Sequence, residues 1–216
     1  MSDIIGKIKS ELNIGRNAWI FLAFGLLLQT LVYTMSNDST LSFISGLLGV
    51  FAVVLCSQRK VISYVFGIAQ LLTFLVIVWQ NNLYAKVAEN VFYLLTMVIG
   101  IVIWKNNYKE EQVQSRKISI PHLTLILAGT TLLSAGVGYI LTFTNDAHPY
   151  IDAFTTIPAF VAQILMITRY REQWIFWLII DIGSILMWIH AGDWCMVAQF
   201  VFWTANCIYG FYKWSK

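Results

Sequence analysis

Eight apolar runs, each 16 to 22 residues long, divide this chain almost end to end: 18–35, 42–57, 61–79, 83–104, 123–144, 153–168, 174–190 and 194–212. A helix crosses the hydrocarbon core of a bilayer in about 17–25 residues, and each such segment satisfies its own backbone there. The runs predict an all-α polytopic membrane protein with about eight transmembrane helices. With 58% hydrophobic and 12% charged residues and a mean hydropathy of +0.69, the chain leaves no room for a separate soluble domain. The polar head, 1–17, reads as an amphipathic interfacial segment. It is long and carries acids, and the exit YTMSNDST has no small-residue cleavage site, so the first run is expected to be a retained helix. Pro121 and Pro149 fall ahead of the fifth and sixth runs, whereas Pro158 lies inside the sixth and should kink it.

The charges sort the loops. Lys7, Lys9 and Arg16 precede the first run, and Arg59 and Lys60 follow the second. Lys105, Lys109, Arg116 and Lys117 follow the fourth, Arg169 and Arg171 the sixth, and Lys213 and Lys216 the eighth. The intervening loops hold Asp38, Asp146, Asp152 and Asp193 and no basic residue; Lys86, near the start of the fourth run, is the exception. By the positive-inside rule, both termini are expected on the cytoplasmic side of the membrane. A net charge of +3 is too small to suggest a nucleic-acid partner.

A shift of 110 residues lays 46–106 on 156–216 without a gap. Ten positions are identical, among them Arg59/Arg169, Gly100/Gly210 and Trp104/Trp214, and aromatic meets aromatic at Tyr64/Trp174, Tyr84/Trp194 and Tyr93/Trp203. Glu89 falls on Gln199 and Thr96 on Asn206, so each half carries a polar stripe with a seven-residue spacing, along one helix face. The expected organisation is a head and extra helix (1–41), a three-helix repeat (42–105), a loop and linker helix (106–152) and a second repeat (153–216). The single linker helix restores orientation, which makes the repeats parallel, with a site at their interface near mid-membrane.

Polar groups inside membrane spans usually face a cavity or a partner. Trp174, Trp177, Asp181 and Trp188 follow helical spacing along one face, where a flat and preferably cationic ring could stack. Trp174 and Trp194 read equally well as interfacial anchors, whereas Trp177 and Trp203 lie deeper. Gln199 and Asn206 in the eighth run, Glu89, Asn90 and Tyr93 in the fourth, and Gln70 in the third complete the candidate binding set, with Gln163 and Gln29 as further buried amides. Glu89 is equally readable as a structural ion pair with Lys86 one turn earlier. Cys56, Cys195 and Cys207 have no metal or disulfide spacing and read as packing residues; His122, His148 and His190 sit in loops or at a helix end. No nucleophile–base set or phosphate loop is present, so neither catalysis, a metal nor a cofactor is expected.

The segments LYAKVAENVFYLLTMVIGIVIW (83–104) and REQWIFWLIIDIGSILMWIHAGDWCMVAQFVFWTANCIYGFYKW (171–214) resemble the PnuC family of bacterial vitamin transporters. The most specific part is W-x-x-W-x-x-x-[N/D], here Trp174, Trp177 and Asp181, supported by Tyr209, Gly210 and Trp214. The resemblance covers about 42–214. It implies a full-length SWEET-like fold, a homotrimer, and facilitated diffusion of nicotinamide riboside for NAD synthesis, with a cytoplasmic kinase trapping the substrate. It also implies a site of Trp177 and Asp181 with amides from Asn90, Gln199 and Asn206. The residues alone leave thiamine or another cationic vitamin open, and a proton-coupled symporter using Asp181 and Glu89 as well.

Overall fold

The computed structural model describes residues 10–81, 84–143 and 149–216; Lys7, Lys9, Asp146 and His148 lie outside them, as does the side chain of Tyr84. Among the described residues eight long helices follow one another: α1 (Arg16–Met35), α2 (Thr40–Ser57), α3 (Ser63–Gln80), α4 (Tyr84–Asn106), α5 (Ile120–Leu141), α6 (Pro149–Ile167), α7 (Gln173–Ala191) and α8 (Trp194–Trp214). Seven are long and apolar enough to cross a membrane. The eighth, α8, has the length at 21 residues, but buried amides and a high share of Trp and Tyr set it outside that group, so the expected eight spans stand at seven by this measure. Pro149 is the first residue of α6 rather than part of a loop, and α6 continues through Pro158 as a single element.

The 110-residue relation is visible in the backbone. The bounds of α2, α3 and α4, moved by 110, fall within two residues of those of α6, α7 and α8. Both first helices of the repeats end in the same motif. Arg59 (φ 58°) and Arg169 (φ 69°) take the left-handed conformation usually left to glycine. The next N–H then reaches back five residues, from Lys60 to the Leu55 carbonyl and from Tyr170 to that of Leu165.

The halves interlock. α4 packs against α6 and α8 against α2, so the third helix of each repeat lies on the first helix of the other. The Trp104 indole donates to the Met166 carbonyl at 3.0 Å, and the Trp214 indole to the Cys56 carbonyl at 3.1 Å. Residues 56 and 166 are themselves 110 apart, so one bond is the image of the other. The two indoles meet with centroids 5.6 Å apart, so the paired positions of the two repeats touch each other.

At this basic end, a hairpin joins Tyr108–Lys109 to Gln112–Val113, with Glu110 and Glu111 both left-handed at its turn. The Val113 N–H donates to the Arg59 carbonyl and the Arg116 N–H to the Arg169 carbonyl, so the connector ties together the matching turns of the two repeats. Lys60 donates to the carbonyls of Ser10 and Glu111; loss of hydration pushes its pKa down, opposed by Glu11 and Glu111. At the opposite end, Asp193 caps α8 through the Met196 N–H and accepts from Ser42, while Asp38 accepts from the Cys195 N–H. Two carboxylates thus meet the positive end of the α8 dipole. Burial pushes the Asp193 carboxyl up, against these hydrogen bonds.

Close approach depends on glycine at the repeat pair Gly100 and Gly210. A Cβ at Gly210 would lie 2.5 Å from the Trp174 ring, and one at Gly100 2.4 Å from the Tyr64 hydroxyl. Gly210→Ala is expected to destabilise the fold by about 1–3 kcal/mol through overpacking. Gly129→Ala on α5, where a Cβ meets nothing, is expected to leave the melting temperature in detergent near the parent's or above it. Equal melting behaviour of the two variants would contradict this account.

Candidate functional site

A cavity of about 140 Å³ lies between the two repeats, with room for about five waters at roughly 30 Å³ each. Its walls come from α2, α3, α4, α6, α7 and α8, and none of the lining residues belongs to α1 or α5. It runs from Lys86, in the first turn of α4, to Trp104 near the basic end.

Of the sequence-predicted residues, Gln70, Glu89, Asn90, Tyr93, Trp177, Asp181, Trp203 and Asn206 line this cavity together. Trp188 and Gln199 do not. Trp188 is fully buried against Phe74, at 5.7 Å between ring centroids, in an apolar cluster with Ile77, Val78 and Met196. Two helical turns beyond Asp181 its face has left the cavity. Gln199 is also fully buried but lies against Gly49 of α2, where a Cβ would sit 3.2 Å from its amide carbon. Of the two tryptophans with open readings, Trp174 is buried and lines the cavity, whereas Trp194 is 51% exposed, as an anchor would be. Gln163 also lines the cavity and donates to Thr96 at 2.9 Å, while Gln29 is buried away from it against Gly46.

The walls are unequal. Where the second repeat places Trp177, Asp181 and Ser184, the first places Gly67, Leu71 and Phe74 at the equivalent positions, and all six line the cavity. One wall therefore offers an indole face and a carboxylate, and the facing wall offers space and apolar surface. Tyr93 meets Trp177 edge-on with centroids 5.9 Å apart, and Phe200 meets Trp203 at 5.0 Å.

Asp181 is 2% exposed; its Oδ2 accepts the Cys207 thiol at 3.3 Å, and no basic side chain of the described residues forms an ion pair with it. Glu89 receives Lys86 Nζ at 2.9 Å and the Tyr93 hydroxyl at 2.8 Å, so both readings of Glu89 meet in one place: it is ion-paired and it lines the cavity. Five polar atoms of lining residues are buried with no protein partner: the Tyr64 hydroxyl, Asn90 Oδ1, Asn206 Oδ1, and the indole nitrogens of Trp174 and Trp203. Buried polar atoms without partners cost about 1–3 kcal/mol each, which makes these candidates to meet a ligand's donors and acceptors after a small side-chain movement.

Sequence reasoning passed over Ser184 and five sulfur atoms. Cys56, Met97, Met166, Met187 and Cys207 all line the cavity. Four of them form two pairs under the 110-residue shift, 56 with 166 and 97 with 207, and that register was the signal available to find those four.

Comparison with known proteins agrees across sequence and fold. The family model for the nicotinamide mononucleotide transporter matches residues 39–216. A nicotinamide riboside transporter PnuC from Haemophilus influenzae is 30% identical over 202 residues, covering 91% of this chain and 88% of that protein. Its counterpart from Neisseria mucosa is 25% identical over 211 residues, covering 92% and 80%. The crystal structure of the vitamin B3 transporter PnuC superposes with a TM-score of 0.84 over 97% of this chain and 96% of that one, at 24% identity, and shows the fold.

Proposed function

This chain belongs to the nicotinamide mononucleotide transporter family, and from that premise we propose that it carries nicotinamide riboside across the cytoplasmic membrane by facilitated diffusion. The observation that carries the choice of riboside over mononucleotide is the charge inventory of the cavity. Among the described residues its charged side chains are Lys86, Glu89 and Asp181, and the one ammonium of these is already paired with Glu89. A phosphate would meet two carboxylates and no free cation. A pyridinium meets the Trp177 face and Asp181.

In this reading Trp177 and Trp203 hold the ring, Asp181 balances its charge, Asn206 and Asn90 take the carboxamide, and Gln70, Tyr64 and Tyr93 serve the ribose. A desolvated cation–aromatic contact contributes about 2 kcal/mol, more than stacking alone. Because the substrate brings the positive charge, binding needs no accompanying ion. Net import then requires a cytoplasmic kinase to remove free riboside, feeding NAD synthesis. The basic end faces the cytoplasm together with both termini, and the exposed apolar faces of α1 and α5 meet the lipid bilayer or a neighbouring copy in a homotrimer.

Purified protein in liposomes is expected to equilibrate labelled nicotinamide riboside with no ion gradient, in competition with excess unlabelled riboside and not with the mononucleotide. Uptake only under an imposed proton gradient would replace the passive reading with symport through Asp181 or Glu89. Stronger competition by thiamine would change the substrate.

A further inference from the structure

Lys86 is a lysine inside a cavity meant, on the reading above, for a cation. It is 7% exposed, sits in the first turn of α4, and spends its charge on Glu89 at 2.9 Å. Glu89 is held from the other side by the Tyr93 hydroxyl, so the pair has a fixed place in the wall. The carboxylate deeper in the cavity, Asp181, receives a neutral thiol rather than a cation. Among the described residues, the formal charges on the lining are one ammonium and two carboxylates, a sum of −1.

We propose that Lys86 is a specificity-determining residue: by neutralising Glu89 it sets the cavity at one net negative charge, so that the site selects solutes bearing a single positive charge. Without Lys86 a monocation would leave one buried carboxylate unmatched; without Glu89, the ammonium would repel the substrate it now admits. In a low-dielectric cavity such imbalances are strongly felt, because like charges brought together there cost several kcal/mol. The pair is thus an internal counterweight, and selectivity follows the charge sum rather than either residue alone.

The inference rests on the proposed substrate and is tested by a matched pair of ligands. Nicotinamide riboside and its reduced dihydropyridine form share a skeleton and differ by the positive charge. Binding of each to purified protein, read by Trp fluorescence quenching, gives a cation-to-neutral affinity ratio. Glu89→Gln, with a charge sum of zero, is expected to lower that ratio about tenfold or more. Lys86→Met/Glu89→Gln returns the sum to −1, removes both partners so that neither charge is left buried alone, and is expected to restore the ratio to within about threefold of the parent. Lys86→Arg, which keeps the charge, should retain it. A Glu89→Gln ratio equal to the parent's, or a folded double variant as impaired as the single, overturns the proposal and leaves the pair a structural one. Failure of the parent protein to bind either riboside overturns the functional reading itself, and the inference with it.

Discussion

Asp181→Asn is expected to weaken nicotinamide riboside binding by about 30-fold or more, because removing one partner of a desolvated charge pair costs roughly 2–5 kcal/mol. The substitution keeps the volume of the side chain, and the Cys207 thiol, 3.3 Å from Oδ2, still has a carbonyl oxygen to donate to. Loss of affinity would therefore report on charge rather than packing. The neutral dihydropyridine riboside is expected to bind Asp181→Asn as well as it binds the parent. Titration of both ligands against both proteins by Trp quenching decides the matter. Equal weakening for the two would mean that Asp181 shapes the cavity without meeting the positive charge, and unchanged binding would remove it from the site.

The largest effect on stability is expected at the paired tryptophans. Trp104 is completely buried and Trp214 is 2% exposed; truncation of either to Ala should cost about 3–5 kcal/mol through the cavity left behind. Phe variants are milder and separate the hydrogen bond from the packing, with a net loss of about 1 kcal/mol for each indole donor. Because the rings touch, the two Ala substitutions should not add, and a coupling of about 0.5–3 kcal/mol is expected. Each indole bond joins α4 or α8 to the first helix of the other repeat, at the carbonyls of Met166 and Cys56. Loosening both should also raise the labelling rate of Cys56 and Cys207 by a membrane-permeant maleimide. Thermal unfolding in detergent and timed labelling check the two halves of this prediction. Strict additivity with unaltered labelling would mean that the tryptophans act as independent anchors.

Much of this architecture is legible in the chain because a membrane protein writes its helices as apolar length and its loops as charge. The 110-residue register was readable from Arg59/Arg169, Gly100/Gly210 and Trp104/Trp214. Each of these pairs has a matched physical task in the structure: a left-handed helix end, a close helix approach and a reciprocal indole bond. Trp177 and Asp181 were readable because polar and aromatic groups deep in a span need a reason to be there. What helical spacing could not supply was where the cavity wall ends. Met187 lines the cavity while Trp188, on the spacing of Trp177 and Asp181, packs against Phe74, and Gln199 shares a stripe with Asn206 but turns toward Gly49. The hairpin at 108–113 lacked the Asn or Gly that usually announces such a turn, since Glu110 and Glu111 occupy its left-handed positions. Cys207 looked like packing because nothing in its own helix shows that α7 brings Asp181 to its sulfur.

The crossed packing of α4 on α6 and α8 on α2 also bears on how the chain is made. Helices enter the bilayer in order of synthesis, and α8, which follows the other described helices, buries two amides and is less apolar than the seven before it. The surfaces that receive it, on α1, α2 and α7, are already in place when it emerges. Contacts with these helices are therefore expected to assist its insertion alongside the lipid. Because α8 of the second repeat packs on α2 of the first, a chain truncated before 194 is expected to leave both halves open.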